Sequence, residues 1–252
     1  MWTLDASHAV PHWRPGTPDP VALLAFSTRR GGVSTAPFES LNLGRSTVDD
    51  PANVAENRAR LLGALGTPPD RLATAGQVHG TRVVEVTAPG HHPECDGLFT
   101  TVPGIALAVT TADCMSLLYT APGAVAAVHA GWRGTADGMP VAALDALCAR
   151  CGAAPGRVRV HIGPCIRGCC YVVGEEVAAR FPAEAVRRTN GTIRLDLPTA
   201  ARSALLASGV PEASLHDTGA CTACSPEWYF SHRRDAGRTG RLWGVAVRRD
   251  GA

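Results

Sequence analysis

No lysine occurs anywhere in the 252 residues, so all 24 basic side chains are arginines. That absence excludes catalysis through a lysine Schiff base. An excess of charge of one sign is also missing: 24 basic and 22 acidic residues leave a formal charge of +2. A general electrostatic pull toward nucleic acid or a membrane surface is therefore not expected. No apolar run approaches the roughly 20 residues that a membrane-spanning helix needs. The opening stretch, MWTLDASHAVPHWRPG, lacks a basic head followed by an apolar segment. No export leader is expected from it, and the expected location is the cytoplasm. There the nine cysteines would be mostly reduced, and an odd count argues against a complete disulfide framework. No short-period repeat, low-complexity tract or obvious linker is found. The expectation is a single domain over residues 1–252, with residues 1–20 as an irregular lead-in.

What is present is a globular composition, 45% hydrophobic and 18% charged, on a chain long enough to bury a sizeable core. Its centre is the stretch IALAVTTADCMSLLYTAPGAVAAVHAGWRG, residues 105–134. Two β-prone runs, residues 105–110 and 124–129, flank a turn at Pro122-Gly123. The first feeds Asp113-Cys114, and the second ends on His129, followed by Arg133. Packing alone asks for none of these four side chains.

Around this centre, residues 21–27 read as a strand. Asp49-Asp50-Pro51 opens a helix, because a carboxylate caps free N–H groups and proline suits the first turn. Val54, Leu61, Leu62 and Leu65 share one face of it, and Gly66 with Pro68-Pro69 ends it. Strands are predicted over 72–77 and 81–86, on either side of Val78-His79-Gly80. Residues 88–95 read as a loop, and Asp96-Gly97 as a turn into a short strand. Helices are predicted from Met139 to about Arg150, over 174–181 and from Asp196 to Ala207. Residues 157–163, 215–218 and 242–247 read as strands. Cys148 and Cys151 share a helix face as a core-facing thiol pair. Cys165, Cys169 and Cys170 read as packing around a tight turn, and Cys221 with Cys224 forms a CxxC. Elements without a regular βαβ cadence point to an α+β, mixed α/β fold: mixed sheets with helices on the outer faces. Arg29 and Arg30 sit in a structured loop, either solvated or holding an anion.

His79, Cys114 and His129 are of the types that bind zinc, and three protein ligands with one open position is the catalytic arrangement. Spacing alone leaves the ordinary readings open, since a buried cysteine is commonly an inert small hydrophobe.

The motifs SLNLG, DDP…ENR, QVHG, TADC, AVHAGWRG, IGPCI…CCY and FSHRR…TGR occur in that order. Together they resemble the DUF152, YfiH-like or laccase-domain family. Its members are also called multicopper polyphenol oxidases, purine nucleoside phosphorylases or peptidoglycan editing factors. The resemblance spans roughly Phe26 to Val247. It implies a layered sandwich of mixed β-sheets with outer helices and a zinc ion held by His79, Cys114 and His129. It implies phosphorolysis of adenosine, inosine and S-methyl-5′-thioadenosine, and deamination of adenosine. The partners are then purine nucleosides and phosphate, with no nucleic acid and no membrane. Asp113, next to a ligand, is the candidate proton shuttle. Arg133 is the nearest candidate for holding phosphate, followed by Arg45, Arg58 and Arg233. Asn42, Arg58 and Asp96 are candidate substrate-binding residues, with loop-fixing hydrogen bonds as the alternative for Asn42 and Asp96. Val48, Met115-Ser116, Val172 and His232 depart from the family pattern, and none of them is a proposed ligand.

Other chemistries remain open. Cys114 as nucleophile with His129 as base would make an amide hydrolase acting on peptidoglycan precursors. Copper is the alternative metal, with phenol oxidation as its chemistry, although no HxH pair of a multicopper cluster is present. A protein that only binds zinc or a partner is the non-enzymatic alternative.

Overall fold

The computed structural model describes residues 1–250. Two twisted mixed sheets pack face to face, with helices outside both, as the mixed α/β expectation required. One sheet runs in the order β1 (Trp2–Asp5), β2 (His12–Pro15), β3 (Ala22–Ser27), β15 (Leu242–Arg248), β8 (Ala106–Thr111), β4 (Leu72–Ala75) and β6 (Gly90–His92). The other runs β14 (Leu215–Asp217), β11 (Arg159–Ile162), β9 (Met115–Ala121), β10 (Ala124–Ala130), β7 (Gly97–Thr100) and β5 (Val83–Glu85). A hairpin of β12 (Val186–Thr189) and β13 (Thr192–Leu195) turns at Asn190-Gly191.

Alternation along the strands builds the layers. Leu118, Val125 and Ala127 face the first sheet, where they meet Phe26, Leu107, Val109 and Ala246. Leu117, Tyr119, Ala126 and Val128 face the other way, against α3 (Met139–Cys151) and α5 (Leu197–Ala207). Trp243, Val245 and Val247 of β15 face α1 (Pro51–Ala64) through Leu61 and Leu62. Strands buried on both faces read as continuous apolar runs rather than alternating ones. Each fully buried leucine contributes about 2 kcal/mol of hydrophobic stabilisation, so these three interfaces dominate the fold. Two short helices, α2 (Trp132–Ala136) and α4 (Glu175–Ala178), complete it.

The helix starts are as read from the sequence. Asp50 accepts the Ala52 N–H and Pro51 stands in the first turn; Asp196 accepts the Thr199 N–H at the start of α5.

Several expectations need correction. Residues 1–20 are not an irregular lead-in: β1 and β2 pair there, and Trp2 packs on Phe26 with ring centroids 4.6 Å apart. Pro15, the last residue of β2, is tolerated because the ladder to β3 ends at Trp13 and leaves that side of Pro15 unpaired. The loop predicted over 88–95 contains β6, added parallel to β4. Most consequential, the two central runs that flank the Pro122-Gly123 turn lie in different sheets. β8 belongs to the first sheet, while β9, not foreseen, pairs with β10 in the second. Asp113 and Cys114 stand where the chain passes from one sheet to the other. Among the described residues no helix is long and apolar enough to cross a membrane.

Candidate metal centre

The crossover from β8 to β9 aims Cys114. Asp113 has φ +88°, a left-handed conformation that an L residue adopts only when held. It is held three ways. Thr222 Oγ1 donates to Oδ1 at 2.6 Å, and the Arg233 N–H donates to Oδ2 at 2.7 Å. The Asp113 carbonyl accepts from the Ile166 N–H at 2.9 Å. Asp113 borders the cavity, but both carboxylate oxygens are already engaged. These bonds fix the residue that precedes Cys114, and they tie the carboxylate offered as a proton shuttle to Thr222 and Arg233.

His129 is the penultimate residue of β10 and is buried. Its Nδ1 lies 2.8 Å from Oδ1 of Asp96, which leaves Nε2 free to ligate a metal. Asp96 also accepts the backbone N–H groups of Val78, His79 and Gly80 at 3.1, 3.0 and 2.8 Å. Burial alone would push the Asp96 carboxyl up, but His129 and these N–H donors hold it below its ordinary value. One carboxylate thus orients His129 and folds the loop that presents His79, whose own φ is +63°. Gln77 pins that loop to β8 by exchanging two 2.7 Å hydrogen bonds with the Thr110 backbone.

The result brings His79, Cys114 and His129 together, with one ligand atom from each lying within 4.8 Å of the others. The imidazole rings of His79 and His129 are 4.8 Å apart at 77°. Burial opposes ionisation of Cys114, yet the charge and hydrogen bond of His129, with help from His79, draw its thiol well down. Burial likewise opposes protonation of His129, and the Cys114 thiolate and Asp96 outweigh it. A ready thiolate flanked by two imidazoles is a donor set that fits zinc. Gly131 leaves the room: a Cβ there would lie 2.9 Å from Cys114 Sγ and 3.0 Å from His79 Nδ1.

The three groups open into a cavity of about 690 Å³. Trp132 and Tyr171 border it, as do Arg45, Arg58, Arg133, Arg233 and Arg241. Among the described residues none of these five arginines forms a salt bridge. Arg58 is buried, gives Nε and Nη2 to the Leu43 carbonyl, and keeps a buried Nη1 without a hydrogen-bond partner. Burial, with Arg45 nearby, brings its pKa down to about 10, a mark of a guanidinium lacking a counter-ion.

Two candidate substrate residues stand elsewhere. Asn42 is fully buried and ties its loop together, donating to Thr47 and Asp49 and accepting from Gly44 and Arg241. Asp96 is fully buried behind the ligands. For both, the loop-fixing alternative describes the contacts. Arg29 and Arg30 are also committed: they donate to the Glu39 and Glu227 carbonyls and lie over Phe230 and Trp228. Sequence reasoning missed the roles of Gln77, Thr222, Tyr171 and Arg241. Gln77, Tyr171 and Arg241 fell within quoted motifs and Thr222 within the CxxC, but nothing local tied any of them to the cavity or to Asp113.

A mixed αββα sandwich with a two-histidine, one-cysteine centre at the sheet crossover defines the class. The chain belongs to the multi-copper polyphenol oxidoreductase laccase family, which matches residues 23–249. It is 45% identical over 227 residues to a protein of Deinococcus radiodurans named purine nucleoside phosphorylase, covering 88% of this chain and 87% of that one. The crystal structure of YlmD from Geobacillus stearothermophilus superposes with a TM-score of 0.93 at 37% identity, over 99% of both chains. A Bacillus licheniformis protein described as hypothetical protein YfiH superposes with a TM-score of 0.84 at 31% identity, covering 91% of this chain and 97% of that one.

Proposed function

We propose that this chain is a purine nucleoside phosphorylase whose pocket is centred on a zinc ion held by His79, Cys114 and His129. The observation that carries the reading is one cavity that combines this donor set with five arginines free of salt bridges. The naming of its relatives as purine nucleoside phosphorylases supports it.

The residues divide the work. Arg133, Arg45, Arg58 and Arg233 offer planar, doubly donating groups for phosphate. Trp132 and Tyr171 offer ring faces for the base. In phosphorolysis a phosphate oxygen bonds to ribose C1′ as the C1′–N9 bond breaks. The purine leaves with the electron pair and takes up a proton, giving free base and ribose 1-phosphate. Zinc in such a set acts as a Lewis acid with one position left for an outside group. Asp113 keeps Cys114 aimed, and Asp96 keeps His129 and His79 aimed. Substrates of this reading are adenosine, inosine and S-methyl-5′-thioadenosine, with adenosine deamination at the same centre as its second activity.

The Cys114–His129 pair also suits a thiol hydrolase. That reading employs two of the three converging groups and leaves His79 without a part, so the metal reading accounts for more of the site. Product analysis with adenosine, with and without phosphate, tests the proposal. Adenine that appears only with phosphate supports phosphorolysis, and inosine without phosphate supports deamination. The absence of both products from zinc-loaded and from copper-loaded protein would overturn the nucleoside reading.

A further inference from the structure

Four cysteines outside the cavity converge on one another. Cys169 and Cys170 stand on a helical turn, closed by their neighbours' bonds to the Arg167 carbonyl: the N–H groups of Cys170 and Tyr171 each donate to it at 2.8 Å. An extended strand would send adjacent side chains to opposite faces; this turn does not. Cys221 and Cys224 stand on a second turn, anchored to the first segment by Cys165, which donates to Ala220 O at 3.3 Å and accepts from the Thr222 N–H at 3.0 Å. All four Sγ atoms lie within 4.8 Å of one another.

The distances select among the fates of such a cluster. Cys224 Sγ is 3.2 Å from Cys170 Sγ and 3.5 Å from Cys169 Sγ. Four thiolates at about 2.3 Å around zinc have sulfur–sulfur edges of about 3.8 Å. A disulfide pairs two sulfurs at about 2.05 Å. Cys224 approaches two thiols almost equally, so the arrangement singles out no pair, whereas a tetrahedral ion uses all four. Cys169 and Cys224 are exposed and Cys170 is half-buried, so an ion can enter from solvent.

We propose that Cys169, Cys170, Cys221 and Cys224 form a second metal site that binds one zinc ion. A closed set of four thiolates leaves no position for substrate, so its work is structural. It joins two segments that wall the cavity. One carries Tyr171, and the other carries Arg233, whose Nη1 donates to Val172 O at 2.6 Å. Thr222, between the two cysteines of the CxxC, is the residue that holds Asp113. The ion therefore braces the support of Cys114. The inference is independent of the reaction assigned to the cavity.

The test is zinc content with cysteine-resolved alkylation of the whole protein. Two zinc ions per chain are expected, and the four thiols should resist iodoacetamide together until a chelator is added. The Cys114→Ala variant should keep one zinc and the same protected set. A Cys169→Ser/Cys224→Ser variant should keep one zinc with Cys114 protected. Equal alkylation of the four thiols with and without zinc would overturn the proposal, and so would a disulfide within the set in zinc-loaded protein. The wild-type alkylation map stands even if a variant fails to fold.

Discussion

Asp96 and His129 meet through a 2.8 Å contact between Oδ1 and Nδ1, and both are buried. The same carboxylate folds the His79 loop through three backbone N–H groups. Removing its charge should loosen two ligands at once. Asp96→Asn is expected to weaken zinc binding at the His79–Cys114–His129 centre by roughly 10–100-fold, the usual cost of losing an orienting carboxylate. Competition against a chromophoric chelator measures it, and an unchanged affinity would contradict the role.

Gly131→Ala should empty the same centre without unfolding the protein. Its Cβ would lie 2.9 Å from Cys114 Sγ, closer than carbon ordinarily comes, and a tight 3.0 Å from His79 Nδ1. Zinc content should drop while the circular dichroism spectrum stays that of the wild type. Gly63→Ala is the contrasting change: the site lies within α1 and nothing approaches the new carbon within 4 Å. It should raise stability by about 0.5–1 kcal/mol, read from denaturant midpoints.

How much of this was legible in the chain differs between elements. α1 was legible because Asp50 and Pro51 announce its start and its leucines keep one period. β9 was not, because a strand buried on both faces shows no alternation, and Met115–Ala121 merged with its apolar surroundings. That omission hid the sheet crossover and the left-handed Asp113 that aims Cys114. His79, Cys114 and His129 stood out through residue type and motif resemblance. The part played by Asp96 did not, because its partner His129 is 33 residues away in the chain. The meeting of Cys169 and Cys170 with the CxxC, whose Cys224 lies 55 and 54 residues further on, was equally out of reach of local spacing.

His161 gives a pH prediction away from the metal centre. Burial, with His216 and Arg159 adding positive charge, pushes its pKa down to about 3. Neither ring nitrogen has a hydrogen-bond partner; the ring stacks on His216 and meets the edge of Trp2. Between that value and the unfolded value of about 6.5, the unfolded chain holds the extra proton. Stability should therefore rise with pH across this window and be lost as pH falls through it, by about 2 kcal/mol at pH 5. In urea titrations at pH 5 and pH 7 the wild type should lose about 2 kcal/mol more stability on acidification than His161→Phe, and equal losses would contradict the assignment.

Arg133 borders the cavity, and its guanidinium lies over the Trp132 ring, 4.5 Å from the centroid. Arg133→Ala should raise the KM for phosphate by about tenfold or more, the scale of one charge-assisted hydrogen bond. The KM for nucleoside should change less. Steady-state kinetics with each substrate varied in turn separates the two, and an equal rise in both would remove Arg133 from the phosphate site.

In this reading one metal-centred pocket transfers the ribosyl group of a nucleoside to phosphate and releases the base. The direct measurement is ribose 1-phosphate formed from inosine and phosphate by the zinc-loaded protein, beside Cys114→Ala. Phosphate-dependent ribose 1-phosphate is expected from the wild type and should be lost in the variant. Equal formation by both proteins, or none from the wild type, would contradict it.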